Sequence, residues 1–187
     1  MNAPFKPPRV LEPQAVRFTA NEFLALAAQD ILRDRRIELV NGEIVELPPP
    51  SPRHGRFQIS IGARLSSALT GNASYWVSGD TAILLDEDTV RACDAAIVQG
   101  SDGSSALSPE QIVLAIEISI STIGYDLGEK SLAYAKAEIP TLWVVDPDAA
   151  VTHVFEEPTA GHYTRRSIVR FGEPLTIPGS DATITID

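Results

Sequence analysis

Ile112-Val113-Leu114-Ala115-Ile116-Glu117-Ile118 is apolar at both parities apart from one acid. A strand with one solvated face alternates apolar and polar residues. A run apolar on both sides belongs to a strand covered on both faces, which asks for helices packed over a central sheet. That sets the fold class as α/β. Glu117 is the exception inside the run, and a carboxylate costs several kcal/mol to bury unless it is paired or bound to metal.

Working outward, Ala92-Cys93-Asp94-Ala95-Ala96-Ile97-Val98 repeats the pattern, again with one acid among small or apolar neighbours. Residues 74–77, 81–85 and 90–98 read as three strands, and a Gly/Ser-rich loop at 100–105 separates them from the 112–119 run. Residues 126–138 contain good helix formers with a stripe of Leu127, Leu132 and Ala135, and Pro140 follows shortly after. Residues 141–145 form a second buried-strand run, stopped by Asp146-Pro147. The alternating segments 151–155, 162–169, 174–177 and 183–186 read as an antiparallel meander.

Toward the N-terminus, residues 1–17 carry Pro4, Pro7, Pro8 and Pro13 and read as an extended arm. Thr19-Ala20-Asn21-Glu22 is a capping box for a first helix. Asn41-Gly42 between two β-rich runs predicts a hairpin with a type I′ turn. Ser51-Pro52 supplies an N-cap and a first-turn proline for a second helix, whose buried stripe is Phe57, Ile61, Leu65, Ala68 and Leu69. Arg53, Arg56, Ser60 and Arg64 share a neighbouring side of it, either as a solvated face or as a stripe for phosphate contacts. With no repeat and no composition break, residues 18–187 read as a single domain.

Composition narrows the function. Hydrophobic residues make up 44% of the 187, enough for a core, and charged residues 21%, too few for a disordered polyelectrolyte. Fifteen basic against 25 acidic residues give −10, which excludes a general coat protein for nucleic acid but leaves a local site open. Cys93 is the single cysteine, so internal disulfides and cysteine-rich zinc sites are excluded. Absence of a signal-like apolar start or a bilayer-length run predicts a cytoplasmic protein without membrane contact. His54, His153 and His162 lack zinc-hydrolase spacing, and no nucleophile-elbow, P-loop or dinucleotide-binding motif occurs.

The chemistry therefore concentrates on acids in strands. Asp94 and Glu117 from neighbouring strands would form a hard-oxygen site suited to Mg2+ or Mn2+. Such an ion polarises a phosphoryl oxygen and lowers the pKa of a bound water. A nearby cation would steady the developing charge, and Lys130 is the candidate, one helical turn before Tyr134 on the same face. By spacing alone, a lysine in the first half of an amphipathic helix is more often a solvated residue than a catalytic one. Glu38 interrupts Ile37 and Leu39-Val40 and is either a half-exposed hairpin residue or part of the site. His54, in the first turn of its helix, is a surface residue or a site accessory.

Several segments carry a resemblance. Phe18 to Leu24, Ile37 to Val45, Pro50 to His54, Asp94 to Val98, Glu117 to Ser119, Tyr125 to Ala135 with Ile139-Pro140, and Trp143 to Asp146 follow, in order, a pattern similar to the Uma family of restriction-endonuclease-like proteins. The resemblance implies a PD-(D/E)xK-type fold, a mixed central sheet flanked by helices, and metal-dependent cleavage of a DNA substrate. It implies Asp94 and Glu117 as metal-binding acids with Glu38 as an accessory acid, and it implies a homodimer. The family's usual proline before the first acid is Cys93 here. Ser119 stands where the superfamily pattern places a lysine, and the resemblance hands that role to Lys130. The competing readings are a catalytically inactive module that keeps the fold to bind DNA or a protein, favoured by the net acidity and Ser119, and a β-rich small-ligand module.

Overall fold

The computed structural model describes residues 14–30, 32, 35–101 and 105–187. The arm expected at 1–17 lies outside the described residues up to residue 13, as does the middle of the Gly/Ser loop, 102–104. Thr19 caps α1 (Ala20–Ala27) reciprocally. Its hydroxyl accepts from the Glu22 backbone N–H at 3.3 Å, and the Glu22 carboxylate accepts from the Thr19 backbone N–H at 2.9 Å. β1 (Ile37–Val40) and β2 (Glu43–Glu46) form the expected hairpin. Asn41 and Gly42 turn with φ +47° and +79°, and a Cβ on Gly42 would come within 3.0 Å of the Arg17 Cβ.

Ser51 caps α2 (Pro52–Ala68) by accepting from the His54 backbone N–H at 3.2 Å. Phe57, Ile61 and Leu65 on one face of α2 are buried against the sheet, each worth about 1.5–3 kcal/mol. β3 (Tyr75–Asp86) and β4 (Thr89–Gln99) pair along most of their length. The two strands expected at 74–77 and 81–85 are thus one. Gly79-Asp80 looks like a break, but Asp80 takes φ +46° and the chain resumes pairing beyond it.

β5 (Ile112–Ile118) is buried at every position, as its composition predicts. The helix expected at 126–138 is instead three pieces: α3 (Ile123–Tyr125), a π-helical turn (Asp126–Lys130) and α4 (Ser131–Lys136). β6 (Thr141–Asp146) runs parallel to β5 and antiparallel to β7 (Val151–Thr159), which pairs with β8 (His162–Arg170). The expected meander stops there. β9 (Leu175–Thr176) and β10 (Thr183–Ile184) form a separate two-stranded ribbon whose Leu175 and Ile184 join the core on the α2 side.

The main sheet runs β2-β1-β4-β5-β6-β7-β8, with β3 on the other edge of β4. One core lies between the sheet and α2, around Trp143, Ile116 and Leu65. A second lies on the side of Tyr134 and Ala135, around Ala115, Val144 and Phe155. This is an α/β fold with a mixed sheet flanked by helices. Among the described residues no helix is long and apolar enough to cross a membrane.

Candidate functional site

One edge of β4 changes partner along its length. Val90 pairs with Leu39 of β1, and Ala95 to Val98 pair with β5, which leaves residues 91–94 between the two strands. Backbone groups in such a gap still need partners. Side chains supply them. The Ala92 N–H donates to Glu38 Oε1 at 3.0 Å, and the Ala92 carbonyl accepts from Lys130 Nζ at 2.9 Å. The Asp94 carbonyl accepts from Gln58 Nε2 at 2.9 Å. Charged residues sit in this apolar neighbourhood because the sheet divides there.

The register that pairs Ala95 with Ile116 carries Asp94 opposite Glu117 at the next position. Asp94 Oδ2 accepts from the Ile118 N–H at 2.7 Å and lies 3.0 Å from His54 Nε2. Glu117 Oε2 accepts from Lys130 Nζ at 2.8 Å, and its Oε1 accepts from the Tyr134 hydroxyl at 2.6 Å. Lys130 ends the π-helical turn and Tyr134 lies in α4, and their i,i+4 spacing sets both on one carboxylate. Lys130 Nζ also lies 3.5 Å from Glu38 Oε1.

Glu117, Lys130 and Tyr134 are out of water. Burial pushes the Glu117 carboxyl up to about 8; Lys130 opposes this, and the Asp94 charge adds to it. Burial works against the Lys130 charge, but Glu117 and Glu38 outweigh it and raise its pKa. Burial, with Glu117 beside it, pushes the Tyr134 phenol well above its ordinary range. Cys93 is buried and its thiol is pushed up by that burial, so it is an inert packing residue.

Sequence reasoning missed Arg91. It is 1% exposed, donates to Glu38 Oε2 at 3.0 Å and to Glu129 Oε1 at 2.6 Å, and meets the Tyr125 hydroxyl; its Nε has no partner among the described residues. The criterion that singled out Asp94, a charge in an apolar strand, applies equally to Val90-Arg91-Ala92. Asp126 was also missed; it is buried, and its Oδ2 accepts from Thr122 Oγ1 at 2.6 Å.

Glu38 is 1% exposed, with both oxygens in contact with protein donors. The arginine stripe on α2 does not present a uniform face. Arg53 pairs with Asp148 and donates to the Pro147 carbonyl at 2.9 Å. Arg64 pairs with Asp187 and donates to the Thr185 carbonyl at 2.9 Å. Arg56 is exposed and lies over the Phe57 ring, 5.2 Å from its centroid. Ser119 is buried, with its hydroxyl 3.4 Å from that of Thr122 rather than on Glu117.

A cavity of about 160 Å³ opens over this cluster. Arg36, His54, Asp94, Glu117, Tyr125 and Lys130 line it, beside an apolar wall from Pro48-Pro49-Pro50. Among the described residues no three His, Cys, Asp or Glu side chains converge as a ready-made metal cage. Two opposed carboxylates with space beside them are instead the donor set of an ion that keeps several waters, such as Mg2+ or Mn2+. Burial is the chief cause of the raised Glu117 pKa, and the neighbouring Asp94 and Asp126 charges add to it. The residues present fit such an ion.

Residues 20–186 match the model of the Uma2 family, whose description is "Putative restriction endonuclease". The fold is similar to the crystal structure of a "putative nuclease" from Anabaena variabilis, with a TM-score of 0.66 and 18% identity over 87% of this chain and 89% of that one. No curated protein matches by sequence.

Proposed function

The chain belongs to the Uma2 family, and from that premise we propose that it is a metal-dependent endonuclease hydrolysing phosphodiester bonds in DNA. The observation that carries this reading is the buried triad of Asp94 opposite Glu117 with Lys130 Nζ 2.8 Å from the Glu117 carboxylate. Asp94 and Glu117 would hold Mg2+ or Mn2+, which polarises a phosphoryl oxygen and lowers the pKa of a bound water.

The remaining residues support those two. His54 and the Ile118 N–H fix the Asp94 carboxylate, and Tyr134 fixes that of Glu117. Lys130 supplies a fixed positive charge beside the attacking and departing oxygens. Glu38 and the Ala92 carbonyl hold that ammonium in place. Glu38 acts through Lys130 and Arg91, which makes it a positioning residue. Cutting both strands of a duplex would require two such centres, and a pair of chains supplies them; solution mass with and without DNA tests that pairing.

The test is plasmid nicking at millimolar Mn2+, with native protein beside Asp94→Ala and Glu117→Ala. Native protein should nick, and both variants should lose nicking together with Mn2+ binding. A folded native chain that binds no Mn2+ and leaves the plasmid intact would contradict the proposal.

A further inference from the structure

We propose that Arg36 is a phosphate-binding residue of this centre, held loosely between Asp80 and Asp94 until a substrate phosphate takes its guanidinium. The inference rests on the nuclease reading and deepens it by naming a substrate contact. Arg36 precedes β1, and its carbonyl accepts from the Leu47 N–H at 2.7 Å, so its backbone is fixed at the base of the hairpin. Its side chain is not fixed to the same degree. Nη2 lies 3.8 Å from Asp80 Oδ1 and 3.8 Å from Asp94 Oδ1, and Nη1 lies 3.4 Å from the Pro48 carbonyl.

These are contacts at the outer limit of an ion pair, unlike those of the other cations of the cluster. Lys130 has two acceptors within 2.9 Å, and Arg91 has charged partners at 3.0 and 2.6 Å. Both of those are buried, whereas the Arg36 side chain is 33% exposed on the cavity rim. Of the described residues lining the cavity, Arg36 and Lys130 carry the formal positive charges, and Lys130 is already committed. Arg36 can therefore turn to an entering anion without breaking a short contact. A guanidinium fork matches two phosphate oxygens, which two 3.8 Å contacts to separate carboxylates do not match. Asp80 competes weakly, because its side chain is 66% exposed.

The experiment is anisotropy of a fluorescein-labelled DNA oligonucleotide in Ca2+, titrated with native protein, Arg36→Ala, Arg36→Gln and Arg36→Lys over a range of salt. Mn2+ binding is measured separately by calorimetry without DNA. Arg36→Ala and Arg36→Gln should weaken oligonucleotide binding by about tenfold or more. They should also lower the slope of log affinity against log salt by about one phosphate contact, or about 0.9 for a duplex. Arg36→Lys should keep the slope, and Mn2+ affinity should not fall in any of the three, because the removed cation competes with a metal at Asp94. An unchanged salt slope in the neutral variants overturns the proposal. So does a loss of Mn2+ affinity with DNA binding intact, which would mean that Arg36 only braces Asp94. Failure of the native chain to bind the oligonucleotide at all would instead count against the nuclease reading beneath it.

Discussion

Arg91 Nη1 and Glu38 Oε2 meet at 3.0 Å with both side chains 1% exposed, joining β4 to β1 where the sheet divides. Removing one partner of a buried pair strands the other charge, which costs about 3–5 kcal/mol. Arg91→Met should therefore lower the unfolding free energy by that order in urea denaturation. The double variant Arg91→Met with Glu38→Leu should regain a large part of the loss. A double variant that loses the sum of Arg91→Met and Glu38→Leu measured singly would mean that the pair is not coupled.

Lys130→Met keeps the length of the side chain and removes its charge. On the proposed role it should reduce nicking by about 10²–10³-fold while Mn2+ binding persists, because Asp94 and Glu117 are untouched. Single-turnover rates with calorimetry on the same preparation read both quantities. Unchanged cleavage would remove Lys130 from the chemistry.

The pH dependence has a definite sign. The Glu117 carboxyl, ordinarily near 4.5, is pushed up to about 8, chiefly by burial. The folded chain thus keeps a proton that the unfolded chain releases. This contribution to metal-free stability is complete below 4.5 and is lost as pH rises through about 8. Metal must displace that proton, so Mn2+ affinity should climb toward pH 8 and then level off. Melting curves and calorimetry of native protein and Glu117→Gln should differ in this window, with the variant showing neither slope. A native chain whose Mn2+ affinity is flat from about pH 6 to about pH 8 would contradict the assignment.

Much of the fold was legible because its determinants are local. Thr19 with Glu22, Asn41-Gly42 and Ser51-Pro52 each specify their own turn or cap, and each is present. The double-sided apolar run identified β5, and the acids breaking such runs identified Asp94 and Glu117. The π-helical turn at Asp126–Lys130 was not legible, since helix-forming residues do not distinguish its wider hydrogen-bonding from that of an α-helix. The sharing of one carboxylate by Lys130 and Tyr134 was legible, since i,i+4 spacing already sets them on one face.

Long-range pairing was equally hidden. Nothing near Arg53 or Arg64 in the chain announces that Asp148 and Asp187 will engage them. Arg91 was hidden for another reason: its partners come from β1 and from the π-helical turn, and only the divided sheet brings these together. The joining of 74–77 and 81–85 into one strand rests on Asp80 accepting a left-handed backbone, which a Gly-Asp pair permits without requiring.

The most direct measurement of the central claim is anomalous scattering from a crystal of the native chain soaked in Mn2+. A metal held by Asp94 and Glu117 should give a peak between the two carboxylates that is lost in Glu117→Gln. No peak there, or a manganese ion bound elsewhere with both carboxylates still engaged only by protein groups, would contradict it.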